Sequence, residues 1–91
     1  MASVYEGKVR PMEQAVSDQL AVGRAVQRLR EGKGLEEAEL AARVGLDAPY
    51  IPAVETGEID VRWHMLMTLL RALDVGVGDL AAELDGDNQH T

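Results

Sequence analysis

The sequence contains no cysteine and no phenylalanine, and only one tryptophan, two tyrosines and three prolines in 91 residues. Without cysteine there are no disulfides, no thiolate metal ligands and no cysteine nucleophile. The shortage of aromatics leaves Trp63 as the largest apolar side chain available to a core. No apolar run approaches the roughly 18 residues that cross a bilayer, so no membrane partner is expected. The first ten residues include Glu6 and lack an apolar stretch, which argues against a secretory signal and makes a cytoplasmic location the default. Basic residues are scarce too, nine against 16 acidic ones, for a net charge of −7. A general nucleic-acid coat would carry the opposite balance.

What is present is an ordinary globular mixture, 46% apolar and 27% charged, in a chain with room for one domain. The charge is unevenly spread. Residues 1–33 carry six bases and four acids, whereas residues 34–91 carry three bases and twelve acids. The histidines are His64 and His90, too few and too far apart for a metal cluster, and no cofactor is expected. Glu36, Glu37 and Glu39 lie close in sequence, but on a short surface helix rather than in a cleft, and Ser17, Thr56 and Thr68 have no base at a suggestive spacing. The chain does not read as an enzyme.

The periodicity predicts helices and no strand. Residues 1–16 read as an extended or disordered arm, with Pro11 able to open a short helix over Met12–Val16. Ser17 is placed to cap the first core helix, whose inward face is Val22, Val26 and Leu29 and which ends at Gly32 and Gly34. A second helix covers Glu36–Val44 and stops at Gly45. Asp47 caps a third, short helix that ends at Gly57. Asp60 caps a fourth, with Trp63, Leu66, Leu69, Leu70 and Leu73 as its apolar stripe. Gly76 and Gly78 break the chain before a last helix over Asp79–Leu84, and residues 85–91 form a polar tail expected to fray. The domain thus spans 17–84. Five short helices bury a modest core, which a homodimer would reinforce.

One spacing carries function. Ala41 is followed by Gly45, then Ile51 and Val54. Two steeply crossing helices need a small residue where they touch, the tight turn between them needs a residue tolerant of positive φ, and the second helix must face the core at i and i+3. These four residues meet those needs in order, which is a helix-turn-helix pattern. With VGRAVQRLREGKGL (22–35), AELAARVGL (38–46), YIPAVETG (50–57), LLRALDV (69–75) and VGDL (77–80), the stretch Leu20–Leu84 resembles the Cro/C1-type (Xre-like) helix-turn-helix domains of phage repressors and bacterial regulators. The resemblance implies an all-α, five-helix lambda-repressor-like domain that reads double-stranded DNA with its third helix, as a dimer on a two-fold site. It also implies that Arg30 and Glu55 form the family's ion pair between the first and third helices.

The sequence departs from the family where DNA would be read. The outward positions of the third helix are Ala48, Pro49 and Ala53, with Pro52 one turn in, and none has a side-chain hydrogen-bond donor or acceptor. Where the family often holds a phosphate with Gln, this chain has Glu37, and the loop after the third helix reads Glu58-Ile59-Asp60. Pro52 also requires the third helix either to begin late or to kink. Arg43 and Arg62 remain as backbone contacts, and Ala48, Pro49 and Ala53 as apolar ones. Arg24 and Arg28 read as a solvated helix face. Two functions stay open: a small DNA-binding regulator with weak or shape-dependent base readout, or an acidic scaffold of the same fold that binds a basic protein, as an antitoxin or anti-repressor-like modulator would.

Overall fold

A computed structural model describes residues 12–88, with side chains over 18–86, as five helices. They are α1 (Met12–Gly32), α2 (Glu37–Val44), α3 (Tyr50–Glu55), α4 (Trp63–Ala72) and α5 (Val77–Asn88), with no strand among the described residues. The expected all-α, five-helix architecture is present. α1 packs on α3 and α5, and α2 packs on α3 and α4. No helix among the described residues is long and apolar enough to cross a membrane.

α1 runs unbroken from Met12, so Ser17 lies inside it rather than capping it. Met12-Glu-Gln-Ala are all strong helix formers, and nothing between them and Ser17 ends the helix. Residues 12–16, read as part of an arm or as a short helix opened by Pro11, are therefore helical and continuous with α1, while residues 1–11 and the last three residues of the tail, His90 among them, lie outside the described residues. The far end of α1 closes as expected. Gly34 takes φ +71°, and Leu35 N–H donates to Arg30 O at 3.2 Å. The same device ends α2, where Gly45 at φ +71° lets Leu46 N–H reach Ala41 O at 2.9 Å.

Three later starts differ from the sequence reading as well, and the first of them is α3, which is capped by Pro49 and not by Asp47. α4 is capped by Arg62, not Asp60, because the chain stays extended while the half-buried Val61 packs on the core. α5 begins at Val77, so Gly78 is helical instead of breaking the chain. The carboxylate of Asp79 accepts from Gly76 N–H at 2.8 Å, and this local cap outweighs the poor helix propensity of Gly78. α5 also continues past Leu84 to Asn88, into the segment read as tail.

The core is built from Ala25, Val26, Leu40, Ala41, Ile51, Val54, Leu66, Leu69, Leu70, Leu73 and Leu80. Val22, Leu29, Val44 and Leu84 pack at its margin. Trp63 does not join it and is 64% exposed. At 100° per residue Trp63 sits roughly 70° from the centre of the Leu66–Leu73 stripe, on the first turn, where the core has already ended. Val61 and Met65 close that edge instead. α1 and α3 touch through backbone, since a Cβ on Gly23 would lie 2.1 Å from Val54 O and 2.9 Å from Glu55 O. Further along α1, Gln19 Nε2 donates to Gly57 O at 3.2 Å. Arg28 ties α1 to α5, its Nε 2.6 Å from Glu83 Oε1.

Candidate nucleic-acid interface

α2, the turn at Gly45 and α3 form the helix-turn-helix unit. Ala41 is buried at the crossing, and Ile51 and Val54 are buried on the inner face of α3. α3 begins late, at Tyr50, with Pro49 as its cap. Pro52 is then the third helical residue, where an N–H would have no partner within the helix, so its ring needs no kink. The next residue already makes the helical bond, Ala53 N–H donating to Pro49 O at 3.3 Å. Of the two outcomes that Pro52 permits, the structure takes the late start.

The late start moves the expected contact residues. Ala48 and Pro49 are exposed but stand in the turn before α3, and Ala53 is only half-exposed along it. Arg43 is exposed near the end of α2, and its Nη1 donates to Ala72 O, the last carbonyl of α4, at 3.3 Å. It helps to seat α4 and shows its remaining guanidinium edge to solvent. Arg62 is exposed at the head of α4. It lines an open cleft of about 380 Å³ with Tyr50, Ile59, Asp60, His64 and Met65. This cleft brings the reading end of α3 and the head of α4 together. Tyr50 and His64 were not among the expected contacts. The cue for Tyr50 was its place at the end of the Asp47–Pro49 turn, once Pro52 had forced the helix to start late.

The Arg30–Glu55 pair holds this arrangement. Arg30 Nε donates to Glu55 Oε2 at 2.6 Å and Nη2 donates to Oε1 at 3.0 Å, a bidentate contact. Nη1 donates to Leu35 O at 2.6 Å, so the guanidinium fastens α1 to α3 and to the loop before α2. Both side chains are under 10% exposed. Burial pushes the Glu55 carboxyl above the usual carboxylate range, Arg30 opposes the shift, and the neighbouring Glu37 carboxyl adds to it. Glu37 therefore sits beside a carboxylate at the start of α2, and Glu36 N–H is taken by Glu39 Oε1 at 2.8 Å. These acids suit the helix dipole and repel phosphate at the same end.

A family model described as a helix-turn-helix domain matches residues 21–84. The chain belongs to this helix-turn-helix family. Among solved structures it is similar to ClgR, the clp gene regulator from C. glutamicum, at 29% identity and a TM-score of 0.72, over 76% of this chain and 90% of ClgR. It is also similar to C.AhdI, the restriction-modification controller protein from Aeromonas hydrophila, at 34% identity and a TM-score of 0.66, over 70% of this chain and 97% of C.AhdI. No curated protein matches it. One neighbour is a gene regulator and the other a controller protein, and the chain is a DNA-binding regulator of the Cro/C1 helix-turn-helix type.

Proposed function

We propose that this helix-turn-helix protein regulates transcription as a cytoplasmic homodimer on a two-fold duplex site, reading DNA shape more than base edges. The observation that carries this reading is the reading end of α3. Ala48, Pro49 and Ala53 offer no hydrogen bond to a base, whereas Tyr50, Arg62 and His64 gather beside them around one cleft. Apolar contacts from Ala48 and Pro49 discriminate weakly, through thymine methyl groups. Arg62 and the solvent edge of Arg43 suit phosphates, which position a protein without specifying sequence. The rest of the preference then comes from how readily the duplex takes the required shape. The role is binding, with no catalytic step assigned.

The test is a low-salt titration against duplex DNA from upstream of the protein's own gene. Saturable binding below micromolar protein is the expected result, and its absence overturns the reading. One observation favours a second reading, in which the scaffold binds a basic protein. Glu36, Glu39, Asp47, Glu58 and Asp60 are all exposed around α2 and α3, and such a surface steers basic partners. Recovery of nucleic acid without protein from the native host counts against it.

A further inference from the structure

α3 carries none of the devices by which a short helix holds its own place. It has six residues, too few to be stable alone, its cap is Pro49 with no side-chain hydrogen bond, and no acid stands in its first turn. Its pose is therefore imposed from outside. Ile51 and Val54 turn it toward the core, but apolar side chains can re-pack and so fix its depth loosely. The closest constraint comes from α1. A Cβ on Gly23 would lie 2.1 Å from Val54 O and 2.9 Å from Glu55 O, so the two backbones meet here only because position 23 is glycine. Gly57, just past α3 and at φ +77°, makes the reciprocal contact: a Cβ there would lie 3.0 Å from Leu20 Cα and 3.2 Å from Leu20 N. Beside it Gln19 Nε2 donates to Gly57 O at 3.2 Å. Gln19, Gly23 and Arg30 recur at helical spacing on one stripe of α1, and Arg30 grips Glu55. The last turn of α3 is thus fixed to that stripe from end to end.

We propose that Gly23 and Gly57 are positioning residues for sequence preference: without touching DNA, they set the height of α3 and so how far Ala48, Pro49 and Ala53 stand toward the duplex. The inference rests on the reading of α3 as the element that meets the bases. Apolar contacts weaken steeply when opened by about 1 Å, and a reading surface of Ala and Pro has no long side chain that could flex to follow. A methyl group at position 23 moves α3 outward by about 1 Å before ordinary contact with the Val54 carbonyl is regained. That is twice the roughly 0.5 Å within which a binding constellation must be held. Phosphate contacts from Arg43 and Arg62 tolerate such a shift, because charge attraction falls slowly with distance and both side chains are long. The substitution therefore costs preference for one sequence over another, and not DNA binding as such.

The full chain and its variants are titrated by anisotropy with two labelled duplexes of equal length, one from upstream of the protein's own gene and one unrelated. Each titration is run at a temperature where circular dichroism shows the variant fully folded. The wild type prefers its own duplex. Gly23→Ala lowers that preference about tenfold by weakening binding to the own duplex, while affinity for the unrelated duplex and its salt slope stay at the wild-type values. Gln19→Ala, which removes only the bond to Gly57 O, lowers the preference about threefold. Gly32→Ala, on the same helix with nothing within 4 Å of the new methyl group, leaves both affinities unchanged. A merely structural role lowers both affinities together and leaves their ratio alone. Equal losses on the two duplexes, or a Gly23→Ala protein that keeps its full preference, overturn this inference and leave the DNA-binding reading standing. So does a wild type that binds both duplexes equally, or a Gly32→Ala protein that loses preference as Gly23→Ala does. If Gly23→Ala does not fold at any temperature, Gln19→Ala decides by the same two outcomes. A wild type that binds neither duplex overturns the DNA-binding reading, and this inference with it.

Discussion

Removing the Arg30 guanidinium exposes how much of the fold depends on one buried ion pair. In Arg30→Ala the carboxylate of Glu55, only 4% exposed, loses both of its guanidinium bonds and keeps the acidic neighbour Glu37. The Leu35 carbonyl loses its partner as well. Breaking a buried pair from one side costs about 3–5 kcal/mol, because the remaining charge cannot reach water. A domain of this size is stable by only about 5–15 kcal/mol. Each kcal/mol moves the melting temperature of a 60–100-residue domain by about 4–8 °C, so the expected drop is roughly 12–40 °C. Thermal melts followed by circular dichroism measure it directly. The double variant Arg30→Met/Glu55→Leu separates pairing from packing: apolar side chains of similar size restore most of the loss, since no charge is left stranded. An Arg30→Ala protein that melts within about 3 °C of the wild type refutes the reasoning.

Other perturbations follow from the same geometry. Gly23→Ala puts a methyl group 2.1 Å from the Val54 carbonyl oxygen, a backbone atom of α3 that cannot swing aside. The overpacking cost of about 1–3 kcal/mol exceeds the helix-propensity gain of about 1 kcal/mol, so the variant melts lower. Gly78→Ala, with nothing within 4 Å of its new methyl, melts no lower than the wild type. Glu37→Gln raises the melting temperature at pH 7, and the gain shrinks as the pH falls to 5. Burial first, and then the neighbouring Glu37 carboxyl, raise the folded-state Glu55 carboxyl above its ordinary 4.5. The folded protein therefore binds the extra proton, and the stability this group contributes is present below 4.5 and lost as pH rises through the folded value. A gain that stays constant with pH contradicts that assignment. Arg43→Ala loses one partly exposed bond to Ala72 O, costs under about 1 kcal/mol in a thermal melt and lowers DNA affinity.

Much of the fold was legible because its signals are local and agree with one another. Ala41, Gly45, Ile51 and Val54 each met one geometric demand of the helix-turn-helix, and the structure places all four as expected. The Arg30–Glu55 pair was legible from the resemblance, since no local pattern joins residues 25 apart. The errors arose where a local signal met a tertiary one. Asp60 is a good capping residue, yet burial of Val61 moved the start of α4 to Arg62. Gly78 is a poor helix residue, yet the Gly76–Asp79 cap carried α5 through it. Trp63 was assigned to the core on hydrophobicity, although its angle from the stripe already placed it at the edge. The candidate interface was half legible. Arg62 stood out in the sequence as a retained base, but its neighbourhood with Tyr50 and His64 exists only once α3 and α4 are packed.

The central claim is that an acidic chain holds DNA through a few retained phosphate contacts beside a reading helix poor in hydrogen bonds. The slope of log K against log salt tests it most directly, measured for the wild type and for Arg62→Ala on the same duplex. The account predicts affinity that falls with salt in the wild type and a slope reduced in magnitude by about one in the variant, the mark of one lost phosphate contact. Equal slopes in the two proteins, or wild-type binding indifferent to salt, contradict it.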